Sequence, residues 1–319
     1  MSTAAPVPTT GELEGDDAIE TIREVGLREL LRNSFLRFRY ADGFSHSRAL
    51  AFQFVLTLLP SLIALVALAR VLDQSTFAKI LRTTLSEIAP GPAGETLTQA
   101  FEQGSAAAES AETALLVGLT AAVFAAATAM GQIERGSNRI YGVERDRAAV
   151  RKYLVATGLA LTAGMATVLA FVLLVFGSEL GNAIESEKGW SESLRTAWGI
   201  ARWPLGAALV AGAIALLFKV SPNRPQPEPS WLALGSALAV VLWFAFTGCL
   251  ALFIGASQGF GDTYGPLAGT IGLMLWALVT ALALFLGLAV AAQLEAVRAG
   301  APRPDIDLTE ASRPNRAAP

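Results

Sequence analysis

A chain of 319 residues that is 53% hydrophobic and only 16% charged, with a mean hydropathy of +0.49, is too apolar for an ordinary soluble domain. The net charge of -3 conceals an uneven distribution of basic residues, and the single cysteine, Cys249, excludes an internal disulfide.

Residues 1–20 are rich in Pro, Thr and acids without periodicity, which predicts a disordered tail. Over about 21–39, Leu27, Leu30, Leu31, Ser34, Phe35 and Phe38 keep helical spacing, with Arg28, Arg32 and Arg39 off that face. Such a basic amphipathic helix suits an anionic membrane surface, and packing against the protein's own loops would satisfy it equally. The first 48 residues hold no short apolar stretch followed by a small-residue cleavage site, so the first apolar run is expected to persist in the mature protein.

Six long apolar runs follow, at 49–69, 113–130, 153–177, 198–218, 231–255 and 266–292. Each approaches the roughly 20 residues that a helix needs to cross about 30 Å of hydrocarbon. Inside lipid the backbone must satisfy its own hydrogen bonds, so runs of this kind are helices. In the first run Pro60 predicts a kink, and Gln53, two turns earlier, offers an amide to a neighbouring helix. Phe77, Ile80, Leu81, Leu85 and Ile88, then Pro90-Gly91-Pro92 and a short helix from about 95 to 109, predict a helical hairpin over about 71–111. Gly118, Ala122 and Ala126 line the second run with small residues. The fourth opens on Arg202-Trp203-Pro204, with Arg202 near enough to the span's end to snorkel. Gly261-Asp262-Thr263-Tyr264-Gly265-Pro266 leads into the sixth, with Gly265 and Gly269 at packing distance; a plain helix start explains these residues, and so does an outer mouth that holds an anionic headgroup. Residues 299–319 again read as a disordered tail.

Lysine and arginine alternate sharply between the connecting segments. Eighteen precede run one, join runs two to three and four to five, or follow run six, whereas five lie in the other connections. That asymmetry predicts both termini and the 135–152 segment in the cytoplasm, with 71–111, 178–197 and 256–265 outside. An even number of spans independently returns the chain to its starting side. The predicted fold is all-α, a polytopic six-span domain over 21–298 with an N-terminal amphipathic helix and an outer hairpin.

Chemistry is hard to build from this composition. No Asp or Glu occupies the middle of any run, which disfavours an ion-driven transporter. The one histidine, His46, sits at a membrane boundary and cannot supply a His-x-x-x-His metal site. Carboxylates are scattered through tails and loops rather than clustered for two-metal hydrolysis. No cofactor, metal or nucleic acid is expected; the expected partners are membrane lipids, with an envelope amphiphile and a homo-oligomer as further candidates.

Several ordered blocks resemble the YihY/BrkB family of bacterial inner-membrane proteins, once labelled ribonuclease BN. They are Ala49-Leu50-Ala51-Phe52 with Leu59-Pro60, Asn138-Arg139-Ile140-Tyr141-Gly142-Val143, Arg202-Trp203-Pro204, Pro222-Asn223-Arg224, and Tyr264-Gly265-Pro266-Leu267-Ala268-Gly269 with Leu275-Trp276. The resemblance spans about 35–298 and implies six spans, both termini inside, and a role in envelope integrity. Where the family commonly ends its sixth span with Gly-Ala-Glu-Leu-Asn, this chain reads Gly287-Leu288-Ala289-Val290-Ala291, without the carboxylate and amide. Asn138-Arg139-Ile140-Tyr141-Gly142 is read as a turn at the inner interface, with Tyr141 at the headgroup boundary. Arg139 is expected to bond phosphate or the Asn223-Arg224 loop, or to serve as plain positive-inside anchoring. The function expected is moving or organising an envelope constituent, a lipid or amphiphile; a non-transporting scaffold is the alternative, and a hydrolase the third reading.

Overall fold

The computed structural model describes residues 3–10, 15–71, 92, 94–96, 99, 110–188, 191–256, 264 and 267–305. Among these the fold is all-helical: α1 (Gly15–Val25), α2 (Leu27–Tyr40), α3 (Gly43–Val71), α4 (Ala111–Ile140), α5 (Ala149–Lys188), α6 (Glu192–Val220), α7 (Pro229–Ala256) and α8 (Ala268–Arg298). The six helices from α3 to α8 are each long and apolar enough to cross a membrane. Ser110 and Ser191 cap α4 and α6 by accepting from Thr113 N–H and Leu194 N–H, which satisfies donors that a helix start leaves open.

Each spanning helix packs against its chain neighbours, and α8 closes back on α3, so the six form a ring. Of α8's most apolar window 56% is buried, against 17–28% for the other spans. The helix therefore acts as the keystone, packed by α7, α3 and α2. Without a hydrophobic drive inside lipid, close approach of backbones holds such a ring. At α3–α4, a Cβ on Gly118 would lie 2.8 Å from the Ala64 amide nitrogen, and at α7–α8 a Cβ on Gly235 would lie 2.7 Å from Gly287 O. A Cβ on Gly269 would run into Thr96 Oγ1 and lie 2.7 Å from Pro92 O, so the start of α8 packs against Pro92 and Thr96.

Two expectations for the N-terminal region need correction. The tail read as disordered over 1–20 instead runs as a docked strap over 3–10, with Ala4 and Val7 buried, followed by α1 from Gly15. The amphipathic helix expected over about 21–39 is two helices, broken at Gly26, whose φ of 85° suits glycine and few other residues. The rest of the predicted hairpin over 71–111 lies outside the described residues, as do Asp262, Gly265 and residues 306–319.

Pro60 and Pro204 both lie inside continuous helices. Around Pro60 the hydroxyls of Thr57 and Ser61 donate to the carbonyls of Gln53 and Thr57, each at 2.8 Å. Both bonds add a second donor to a carbonyl one turn back in the helix, on either side of Leu56, whose carbonyl is the one Pro60 leaves without an N–H. The Gln53 side chain does reach its neighbour: Oε1 accepts from Thr128 Oγ1 of α4 at 3.1 Å.

Candidate functional site

Among the described residues the buried polar side chains converge at one end of the ring, where α4, α6 and α8 finish and both described terminal segments meet. The strap crosses this end in extended form. Ala4 N–H donates to Arg139 O at 3.1 Å, Val7 N–H to Tyr141 O at 3.1 Å, and Ala5 N–H to Pro304 O at 3.0 Å. Gly142 makes the crossing feasible: its φ is 74°, and a Cβ there would lie 2.5 Å from Pro6 Cα. The turn that the Asn-Arg-Ile-Tyr-Gly block builds is thus also the seat of the strap.

Three arginines hold the end together. Arg37, wholly buried in α2, donates from Nε to Gln293 Oε1 at 2.9 Å and from Nη1 to Ala5 O at 2.9 Å and Ile140 O at 3.2 Å. Burial draws its guanidinium down to about 10. Arg224 pairs with Glu295 at 2.5 Å, donates to Val7 O at 3.0 Å and Pro8 O at 3.3 Å, and lies 4.8 Å above the Tyr141 ring. Arg147 pairs with buried Glu134 at 3.1 Å and reaches the carbonyls of Val220, Ser221 and Pro222 at 2.7–2.9 Å. A cation at a helix C-terminus meets its partial negative charge and its orphan acceptors, so Arg147 closes α6.

Asn138 joins two of these loops. Its Oδ1 accepts from Asn223 N–H at 2.7 Å and its Nδ2 donates to Asp146 Oδ1 at 2.9 Å, while Asn223 Nδ2 donates to Arg145 O at 3.1 Å. Burial acts to raise the Asp146 carboxyl, but the Asn138 bond and nearby Lys152 outweigh it and hold the group below the usual range. Arg139, expected to bond phosphate or the Asn223-Arg224 loop or to serve as plain anchoring, donates from Nη1 to Val143 O at 2.9 Å and Glu144 O at 2.7 Å, within its own turn. Asn138 makes the inter-loop bond because its short amide offers donor and acceptor together.

Tyr141 was expected at the headgroup boundary and is instead buried inside the cluster. Burial, reinforced by Glu295, pushes its phenol far above the ordinary tyrosine range. Stability from this group is fully present below its unfolded value, near pH 10, and is lost as pH rises toward the folded one. Replacing Tyr141 with phenylalanine should therefore leave the phenolate absorbance of the folded protein unchanged up to about pH 11. A smaller phenolate signal in that variant would contradict the burial.

The end of the sixth span also corrects the sequence comparison. Shifted four residues along from Gly287, the chain reads Ala291-Ala292-Gln293-Leu294-Glu295, which supplies an amide and a carboxylate in exchanged order. Both side chains are fully buried, on Arg37 and on Arg224. Thr10 of the strap donates to the same Glu295 Oε1 at 3.0 Å. Arg37 Nη2, the Tyr141 hydroxyl and Glu295 Oε2 are buried without a partner among the described residues, so the cluster keeps capacity for another polar group.

The remaining predicted positions lie elsewhere. Arg202 sits in α6 with its guanidinium 5.5 Å from the Trp203 ring, and its buried Nε and Nη1 have no hydrogen-bond partner among the described residues. Tyr264 is exposed. Among the described residues no group of three His, Cys, Asp or Glu could hold a metal ion. Two open apolar grooves lie away from the polar end. One, of about 540 Å³, is lined by Leu116, Val117, Thr120, Ala121 and Phe124; the other, of about 310 Å³, by Phe246, Cys249, Leu250, Phe253, Val279 and Leu282.

A ring of six apolar helices with its polar residues drawn into one packed end defines a multi-pass membrane protein. The Virulence factor BrkB family model matches residues 34–310, and the chain belongs to that family. It is also 26% identical over 258 residues to YfkH of Bacillus subtilis (strain 168), named as ribonuclease-like, covering 81% of this chain and 92% of that protein. No solved structure matches the chain significantly.

Proposed function

We propose that this protein moves or organises an amphiphile of the bacterial envelope, taking its hydrocarbon part on the lipid-facing surface of the ring. The observation that carries this reading is the separation of chemistry along the bundle. Polar groups are paired at one end, whereas the concavities at membrane depth are apolar and open sideways, where only hydrocarbon competes for them. A polar solute would find no donor or acceptor in either groove apart from Thr120 and the Cys249 thiol. In reconstituted vesicles the protein should accelerate transbilayer movement of a fluorescent phospholipid. Ala121→Trp and Cys249→Trp, which fill the grooves from exposed positions, should slow it at least several-fold. Movement equal to that in empty vesicles would favour the non-transporting scaffold.

The polar end faces the cytoplasm of an inner membrane, because it gathers arginine-rich segments and both described terminal segments. In a Cys249→Ser background, an impermeant thiol reagent on spheroplasts should label Glu112→Cys and spare Glu144→Cys; both native side chains are exposed. The reverse pattern overturns the orientation. A hydrolytic reading would rest on the ribonuclease-like name of the relative, and no geometry favours it. Glu134, Asp146 and Glu295 are engaged by Arg147, by Arg135 with Lys152, and by Arg224.

A further inference from the structure

Helix α2 carries an apolar face that the protein does not cover. With about 100° between successive residues, its side chains fall into consecutive arcs. Arg37, Leu30, Ser34 and Phe38 form the buried arc against the ring. Leu27, Leu31 and Phe35 run from the edge of that arc to just beyond it and are 59%, 44% and 47% exposed. Beyond them lie Arg28, Arg39 and Arg32, all exposed, then the half-buried Leu36 and the exposed Glu29. Three large apolar side chains at i, i+4 and i+8 beside an arginine row are poorly suited to water.

Two observations say what covers this arc. The first is continuity with the lipid-facing surface of the first span. Phe35 meets Phe44 edge-on at 6.4 Å, and Phe44 stands in the opening turn of α3, above the exposed Phe52 and Leu56 of the same membrane-crossing helix. The second is charge. The arginine row follows the apolar arc on the side away from the ring, where lipid headgroups sit once the arc enters hydrocarbon, and Glu29 follows on the water side.

We infer that α2 is an interfacial helix that docks the Leu27–Leu31–Phe35 face into the leaflet at the polar end of the ring and gathers anionic lipid headgroups around Arg28, Arg32 and Arg39. Sequence alone left lipid and self-packing open; the structure divides them, with one arc buried in the ring and the next turned to lipid. The interaction needs no specific headgroup pocket. It uses apolar insertion plus surface attraction, in which each basic residue near an anionic surface strengthens association about fivefold.

The test uses the full-length protein with Cys249→Ser and Leu31→Cys carrying an environment-sensitive NBD fluorophore. It is reconstituted in equimolar phosphatidylcholine and phosphatidylglycerol, with one or the other lipid brominated. Brominated chains should quench the probe, and brominated phosphatidylglycerol should quench more strongly than brominated phosphatidylcholine, by severalfold in apparent association. Replacing Arg28, Arg32 and Arg39 by glutamine should abolish that preference and leave quenching by both lipids. A probe at Phe35→Cys repeats the measurement should the first variant fail to fold. Absence of quenching at both positions overturns the docking, whether water or another protein covers the face. Equal quenching by both lipids in the wild-type background overturns the anionic selectivity.

Discussion

Replacing Glu295 by alanine should lower the apparent midpoint of thermal unfolding in detergent by roughly 10 °C. The carboxylate is wholly buried, pairs with Arg224 and accepts from Thr10, and it offsets the positive charge of both Arg224 and Arg37. Removing one partner of a buried pair leaves an uncompensated charge and costs about 3–5 kcal/mol. At about 2–4 °C per kcal/mol for a chain of this order of size, that gives the expected shift. Arg224→Ala should cost a similar amount and in addition release the strap at Val7 and Pro8. The double variant should lose much less than the two singles added together, because each single already breaks the shared pair. Additive losses would mean that the two side chains act independently.

Gly287→Leu should break the contact between α7 and α8. A Cβ at Gly287 would lie 2.5 Å from Gly235 O and 2.7 Å from Ala239 Cβ, and the first is backbone of the facing helix that cannot swing aside. Overpacking a tight contact costs about 1–3 kcal/mol for added methylenes, and here the backbones themselves must part. Size-exclusion chromatography should show loss of the monodisperse species for leucine, with a fall in unfolding midpoint of several degrees for Gly287→Ala. Gly158→Ala is the control: nothing lies within 4 Å of a Cβ there, so it should match or slightly exceed wild type. Equal behaviour of Gly287→Ala and Gly158→Ala would contradict the close approach.

The six spans were legible because hydrocarbon thickness and backbone satisfaction leave a long apolar run no other structure. The polar end was only half legible. Asn138 and Asn223 stood out in short blocks, but the bond between them joins residues 85 apart, and no local pattern announces it. Arg37 looked like one more member of a basic cluster in which Arg23, Arg28, Arg32, Arg39 and Arg48 are all exposed. Its spacing of seven from Leu30 and three from Ser34 was the available signal that it shares their buried arc. Glu295 escaped notice because it lies in the last turn of α8, the sixth span, past the point where the apolar run stops. The strap escaped for a different reason. It docks mainly through backbone bonds, supplemented by the Thr10 hydroxyl, and backbone bonding leaves no trace in side-chain periodicity.

Handling of an amphiphile is tested most directly by lipid mass spectrometry of the protein taken from its native membrane in polymer discs, without detergent. Wild-type discs should be enriched in one amphiphile class relative to the bulk membrane. The Ala121→Trp, Cys249→Trp double variant, recovered at the same membrane level, should lose that enrichment. A wild-type lipid profile identical to the bulk membrane and unchanged by the double variant would contradict a role for the grooves.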